Sequence, residues 1–227
     1  GYKNLVKLTT ISHLKGMRGR GIFSRPCIDK RLLEKYKEGL IISTACLGGE
    51  IPQAILKGRK DVAVKTANWF KSIFGDDFYL EIQDHGSMED RIVNIEIIKI
   101  ARTLDIKVIA TNDAHYISNK DVGAHDALLC VLTGKLISDK KRLRYTGTEY
   151  IKGEDEMLNL FNDHIDKETV KEAIENTFEV SQKVEEFDLF GEYRMPKYPL
   201  LGDKKAIDFL KCISQEGLKK RLHKSSF

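Results

Sequence analysis

No apolar run in this sequence approaches the roughly 18 residues that a membrane-spanning helix needs. Its first residues do not read as a signal peptide, so no membrane partner is expected. Four cysteines, Cys27, Cys46, Cys130 and Cys212, are scattered without a CxxC pair. That spacing excludes a zinc ribbon or a disulfide framework and favours a reducing cytoplasm. Internal repeats and low-complexity tracts are absent. The excess of 38 Lys+Arg over 34 Asp+Glu leaves +4, too little by itself to argue for nucleic acid. An initiator Met is also lacking. Gly1–Tyr2 leads straight into helical periodicity, and the expectation is a piece of a longer protein.

What is present is the ordinary balance of a folded α/β chain. Hydrophobic residues make up 41% and charged residues 32% of 227, enough for one large domain with a sizeable core, or one domain plus part of another. Helical spacing recurs in Asn4–Lys15, Asp29–Tyr36, Glu50–Leu56, Asp61–Phe74, Glu89–Leu104, Lys120–Leu132, Glu154–Phe161, Lys167–Val184 and Lys204–Leu222. In Glu89–Leu104 the apolar stripe is read as Ile92, Ile95, Ile98 and Ile100, and in Lys120–Leu132 as Ala124, Ala127, Leu128 and Val131. His125 and Cys130 read as packed structural residues. Pro196 and Pro199 among aromatics in 187–201 mark a linker where one domain ends. Two basic segments interrupt the pattern, GMRGRGIFSR with Arg18 and Arg20, and KKRLRY with Arg142 and Arg144. Solvated loops are the plain reading; contacts to a DNA backbone are the sharper one.

The chemistry gathers after three strands. Val108–Thr111 is apolar and β-branched, then stops at Asn112 and presents Asp113 and His115 two positions apart. In a strand or its extended continuation, residues i and i+2 project to one side. Taken alone, the pair fits an ordinary loop with Asp113 as a cap equally well. Two further segments share the design: in Gly39–Glu50, Leu40–Ile42 leads into Cys46, and Phe78–Gly86 alternates apolar and polar residues before Asp84, His85 and Gly86. Helices between them imply parallel crossovers, which put all carboxyl ends on one face. Cys, His and Asp would converge there, where α/β folds place ligands, and all three suit zinc, manganese or iron.

Six strings come in order: LIISTACLGGEIPQAIL (40–56), FGDDFYLEIQDHG (74–86), VIATNDAHYI (108–117), AHDALLCVLTGK (124–135), AIENTFEVSQK (173–183) and MPKYP (195–199). Together they resemble the PHP (polymerase and histidinol phosphatase) domain of bacterial replicative DNA polymerase III alpha subunits, over about residues 1–200. GIFSRPCI (21–28) and RLRYTGTEY (142–150) look most like the cyanobacterial members. The resemblance implies a distorted, TIM-like (β/α) barrel, here incomplete. Residues 1–186 would be the carboxyl-terminal part of the PHP domain, and 187–227 a linker and helix toward the polymerase body.

The same resemblance implies a metal centre with Cys46, Asp113 and His115 as ligands, and Asp113 and His115 as its catalytic pair. Its remaining ligands, an HxH among them, would lie upstream of Gly1, and the polymerase carboxylates downstream of Phe227. His85 and Glu50 are assigned supporting positions behind the ligands. Thiolate and imidazole favour zinc, with manganese, iron or magnesium as alternatives. The implied activity is metal-assisted phosphodiester hydrolysis, a 3′–5′ proofreading exonuclease within a DNA-directed DNA polymerase. Its partners would be primer–template DNA and other replicative subunits. Two alternatives stand beside it: a non-catalytic scaffold that holds a separate exonuclease subunit, and a stand-alone metal-dependent phosphoesterase. The isolated chain is expected to be inactive.

Overall fold

Five consecutive residues, Phe78–Ile82, are all buried, and the rest of the sheet is assembled around them. The computed structural model describes residues 1–21, 24–193, 195–200, 202 and 205–222. Ile22 and Phe23 of the basic loop, Lys204 and the terminal HKSSF lie outside the described residues. Chain order runs α1 (Tyr2–Lys15), β1 (Met17–Arg18), β2 (Arg25–Pro26), α2 (Lys30–Lys35), β3 (Ile42–Ser43), α3 (Glu50–Leu56) and α4 (Lys60–Phe74). It continues β4 (Phe78–Ile82), α5 (Met88–Leu104), β5 (Val108–Ala110), α6 (Val122–Thr133), α7 (Glu154–Leu160), α8 (Lys167–Gln182) and α9 (Ala206–Leu222). Two compact units result, Gly1–Val184 and Glu185–Phe227. In the second, Tyr198 stacks on Phe209 of α9 with centroids 5.4 Å apart.

In the first unit, β3, β4 and β5 form a parallel sheet in that order, pairing Ile42 with Phe78 and Leu80 with Val108. One face of β4, Phe78, Leu80 and Ile82, joins an apolar cluster with Ile51, Ala63, Ala67, Val93 and Ile97 from α3, α4 and α5. Each such large side chain contributes about 1.5–3 kcal/mol on burial. The other face carries Tyr79, Glu81 and Gln83, also buried. The polar alternation of this strand therefore marks an interior network rather than a solvated face. Glu81 is its hub: one oxygen accepts from Ser43 Oγ at 2.6 Å and the Ala45 amide at 3.1 Å. The other accepts from Gln83 Nε2 at 2.8 Å and from the Thr111 hydroxyl.

Among the described residues the expected parallel strands and outer helices are present as an open α/β sheet, without a closed barrel. The outer edge of β5 meets α8, not a fourth strand. Asn176 Nδ2 donates to the Val108 carbonyl at 2.8 Å, and Thr177 Oγ1 to that of Ala110 at 3.1 Å. These bonds satisfy edge groups that would otherwise be buried without partners.

The helices lie where periodicity puts them, but two have a different phase. A capping box of Ser87 and Asp90 starts α5, and Asp105 ends it in the left-handed conformation at φ 52°. Its buried residues are Asp90, Val93, Asn94, Ile97, Ile98, Ile100 and Ala101; of the expected stripe Ile98 and Ile100 are buried, while Ile92 and Ile95 are exposed. On α6 the buried residues are Leu129 and Cys130, and the expected inward pair Leu128 and Val131 is 63% and 80% exposed. No helix of the described residues is long and apolar enough to cross a membrane.

The Glu81 hub generates a stability prediction. Glu81→Gln places a donor where four donors converge and should cost about 1–3 kcal/mol. A urea titration should show a lower midpoint with an unchanged slope. A midpoint within error of the parent would remove Glu81 from this role.

Candidate metal centre

Because the three strands are parallel, they finish at one edge of the sheet, and the chain then runs three residues further in each case. Cys46 follows Ser43, His85 follows Ile82, and Asp113 follows Ala110 by that interval. The loop after β4 is the most tightly built. Asn94 on α5 takes the place of a neighbouring strand, donating to the Gln83 carbonyl at 2.8 Å and accepting from its amide at 3.4 Å. Asp90 Oδ2 then accepts the His85 amide at 3.1 Å and the Ser87 hydroxyl at 2.8 Å. The His85 ring is 15% exposed, with Nδ1 3.0 Å from the Thr148 hydroxyl. Its Nε2 is buried without a hydrogen-bond partner and faces Asp113 Oδ2 at 3.8 Å. A buried ring nitrogen aimed at a carboxylate beyond bonding distance is what one shared cation would accommodate.

After β5 the strand alternation stops at Ala110, and Asp113 adopts φ 47°. The simple i, i+2 argument therefore does not govern the pair. The Asp113 carboxylate turns to His85, whereas the exposed His115 ring lies against Tyr145, centroids 4.5 Å apart. His115 Nδ1 is 2.7 Å from the Asp113 carbonyl. A carbonyl only accepts, so Nδ1 carries the proton, and in the neutral ring Nε2 keeps a lone pair for a ligand.

Sequence reasoning missed Glu149, which holds both loops. Its backbone carbonyl accepts the His115 amide at 2.8 Å. Its carboxylate, 3% exposed as a residue, accepts from the Thr146 amide and hydroxyl at 3.0 and 2.7 Å and from the Gly147 amide at 3.0 Å. Burial alone would raise this carboxyl, but the Thr146 and Gly147 donors prevail and hold it at about 2. Thr148, between Gly147 and Glu149, is thereby set against His85. Nearby, burial holds the Lys152 ammonium below the usual lysine range, opposed by the charges of Glu156, Glu149 and Asp84.

Cys46 is exposed at the end of its strand, in a small cleft shared with Glu81, Gln83 and Asn94. Glu50 points elsewhere and pairs with Lys30 at 2.8 Å. Arg18 and Arg20 are exposed at the β1–β2 ribbon. Arg142 is forked onto Asp126 with its side chain 1% exposed, so its donors are engaged within the chain, while Arg144 is exposed.

Among the described residues, one trio of metal-type side chains lies within mutual reach, Asp84, Asp163 and His164, with atoms inside 4.8 Å. It contains none of Cys46, Asp113 or His115. Both His164 nitrogens are taken: Nε2 accepts from Asn94 at 3.2 Å, and Nδ1 donates to Asp163 at 2.6 Å. The hydrogen bond from His164, with the Arg91 charge behind it, keeps the Asp163 carboxyl below the usual range despite some desolvation. Such a trio works as a brace between the loops after β4 and α7.

Residues 1–85 match the PHP domain family, a span that includes Cys46 and His85. Over 97% of its length the chain is 42% identical to DNA polymerase III subunit alpha of Borreliella burgdorferi, on 19% of that protein. Identity to the subunit of the same name is 40% over 81% of the chain for Campylobacter jejuni and 35% over 97% for Thermus aquaticus. The chain spans 15–19% of the length of these curated relatives.

The depressed Glu149 carboxyl predicts a pH dependence. A lowered carboxyl stabilises the fold fully above its ordinary value of 4.5, and that contribution is lost as pH falls through about 2. Protection of the Thr146 and Gly147 amides, measured against their intrinsic exchange rates at each pH, should therefore fall across that window. Glu149→Gln should flatten the window and cost about 1–3 kcal/mol at neutral pH. Parallel pH curves for parent and variant would rule Glu149 out.

Proposed function

For a chain that carries PHP-domain sequence and aligns along nearly its whole length with one segment of DNA polymerase III alpha subunits, we propose a share in a divalent-metal centre for phosphodiester hydrolysis. Cys46, His85, Asp113 and His115 are the donors. The observation that carries this reading is the buried, unpartnered His85 Nε2 facing Asp113 Oδ2 at 3.8 Å. His85 thus moves from a supporting position to a ligand. Thr148 at Nδ1 and the Asp113 carbonyl at His115 Nδ1 act as the partners that orient ligating imidazoles. Two imidazoles, a thiol and a carboxylate suit zinc best, ahead of manganese, iron and magnesium.

A bound divalent ion supplies Lewis acidity toward a phosphate oxygen and acidifies a bound water. The chain's own part is to fix the donors and to orient the strand end. In the 3′–5′ exonuclease reaction, water adds to the terminal phosphodiester phosphorus. The bond to the 3′ oxygen of the preceding nucleotide breaks, that oxygen takes the proton, and a 5′-nucleotide leaves. The setting is a cytoplasmic replicative polymerase acting on primer–template DNA with its other subunits. Residues 1–186 would belong to the PHP domain, and 187–227 would lead toward the polymerase body. Arg18 and Arg20, exposed on the ribbon, remain candidate backbone contacts. By itself this chain extends no primer and hydrolyses little.

One observation favours the scaffold reading. Leu128, Val131 and Leu132 on α6, with Leu136 and Ile137 after it, form an exposed apolar strip of the kind a subunit contact uses. Alignment over 97% of the chain with polymerase subunits weighs against a stand-alone phosphoesterase.

Zinc titration against a chromogenic chelator tests the ligand set. His85→Ala and Asp113→Ala should each weaken binding at least 10- to 100-fold, the range that loss of a supporting partner alone produces. Cys46→Ser should weaken it less if oxygen reaches the ion. The same substitutions in a full-length alpha subunit should depress release of nucleotides from a mismatched primer. Unchanged zinc occupancy in both alanine variants would leave the scaffold reading as the survivor.

A further inference from the structure

Beside His115 the surface opens into a recess of about 300 Å³ that none of the metal donors lines. Its walls include His125, Asp126 and Leu129 of α6, and Arg144 and Tyr145 of the loop that leads to Glu149. The rings of Tyr145, His115 and His125 form a triangle, with centroids 4.5 Å (Tyr145–His115), 5.2 Å (Tyr145–His125) and 5.9 Å (His115–His125) apart, and Tyr116 lies 5.1 Å from His125. The negative charge of Asp126 is matched by the buried Arg142 fork, which also stiffens this wall. Arg144 is exposed on the same wall, where its charge adds to the Arg142 hydrogen bond in holding the Asp126 carboxyl below the usual range, and its donors make no hydrogen bond among the described residues.

We infer that this recess receives the 3′-terminal nucleotide of a single DNA strand, with its base on the Tyr145 and His125 rings and its phosphate toward Arg144. The inference rests on the hydrolytic reading above, because the ring that touches Tyr145 belongs to His115 of the DxH pair. Size selects the ligand. About 300 Å³ lies at the lower end of small-ligand clefts, room for one nucleotide and not for a duplex. Chemistry selects it as well. Flat π faces beside an exposed cation are how proteins hold single strands without reading sequence, since every base has a face to stack and every link a phosphate. A terminal nucleotide seated there would bring the adjoining phosphodiester to the DxH end of β5.

The test uses the 227-residue chain and 5′-labelled single-stranded oligonucleotides in EDTA, so that the reading does not depend on metal. One probe ends in a normal nucleotide and the other in an abasic site. The parent should bind the intact end about tenfold or more tightly than the abasic end. Tyr145→Leu should abolish that preference and Tyr145→Phe should keep it. A Cβ at Gly123, on the recess rim, would meet nothing beyond its own helical turn within 4 Å. Gly123→Leu should therefore fill the recess without straining α6, abolishing the preference at an undiminished melting temperature. Equal binding of the two ends by the parent, no detectable binding of either, or a preference that survives both leucine variants would overturn the inference. Base preference with zinc occupancy untouched by His85→Ala would sink the metal reading and leave the recess standing. Zinc binding lost on that substitution, with no base preference, would do the reverse.

Discussion

The carboxylate of Glu81 accepts from Ser43 and Ala45 on one side, from Gln83 on its own strand, and from Thr111 on the other, so three chain segments leave the sheet from one tied point. The backbone ladders alone are short: two residue pairs join β3 to β4 and three join β4 to β5. Ladders of that length fix direction but leave the strand ends free to splay. A buried acceptor with four donors removes that freedom, and it does so at the edge from which Cys46, His85 and Asp113 depart. Removing it would take the acceptor from the Ser43 and Thr111 hydroxyls and the Ala45 amide, leaving Gln83 only Thr111 Oγ1 at 2.9 Å, which makes the hub costly to lose.

Side chains substitute for backbone at two other points. Asn94 pairs with both main-chain groups of Gln83, and Asn176 and Thr177 close the outer edge of β5. Helices here do more than cover the sheet; they lengthen one strand and terminate another. The outcome, among the described residues, is an open parallel sheet whose outer edge is protected by helix side chains.

Element type and order were legible because caps and breakers agree with periodicity, as Ser87–Asp90 and Gly75 show. Helix phase was less so. In α5, Ile92 and Ile95 look as apolar as Ile97 and Ile98, and only the packing of Asn94 against Gln83 decides which side turns inward. The α6 stripe is apolar nearly all round, so the sequence has no polar face to mark the outside. The positions of Cys46, His85 and Asp113 just past three parallel strand ends were readable, but the departure from alternation at Asp113 was not. Glu149 sat unnoticed in a polar loop, since nothing in TGTEY announces that the chain folds its hydroxyls and amides back onto that one carboxylate. The buried face of His85 was equally hidden, being made by Thr148, 63 residues away.

Asp113 carries two demands at one position. Its φ of 47° suits glycine, asparagine or aspartate among the common residues, while charge toward His85 requires a carboxylate. Only aspartate meets both. The codons one nucleotide away from aspartate include those for asparagine and glycine, which keep the backbone and erase the charge. Drift at this codon can therefore erase the charge that faces His85 without disturbing the loop, the strand or the helices behind them. The chemistry of this strand end and the geometry that carries it are thus separable by a single mutational step.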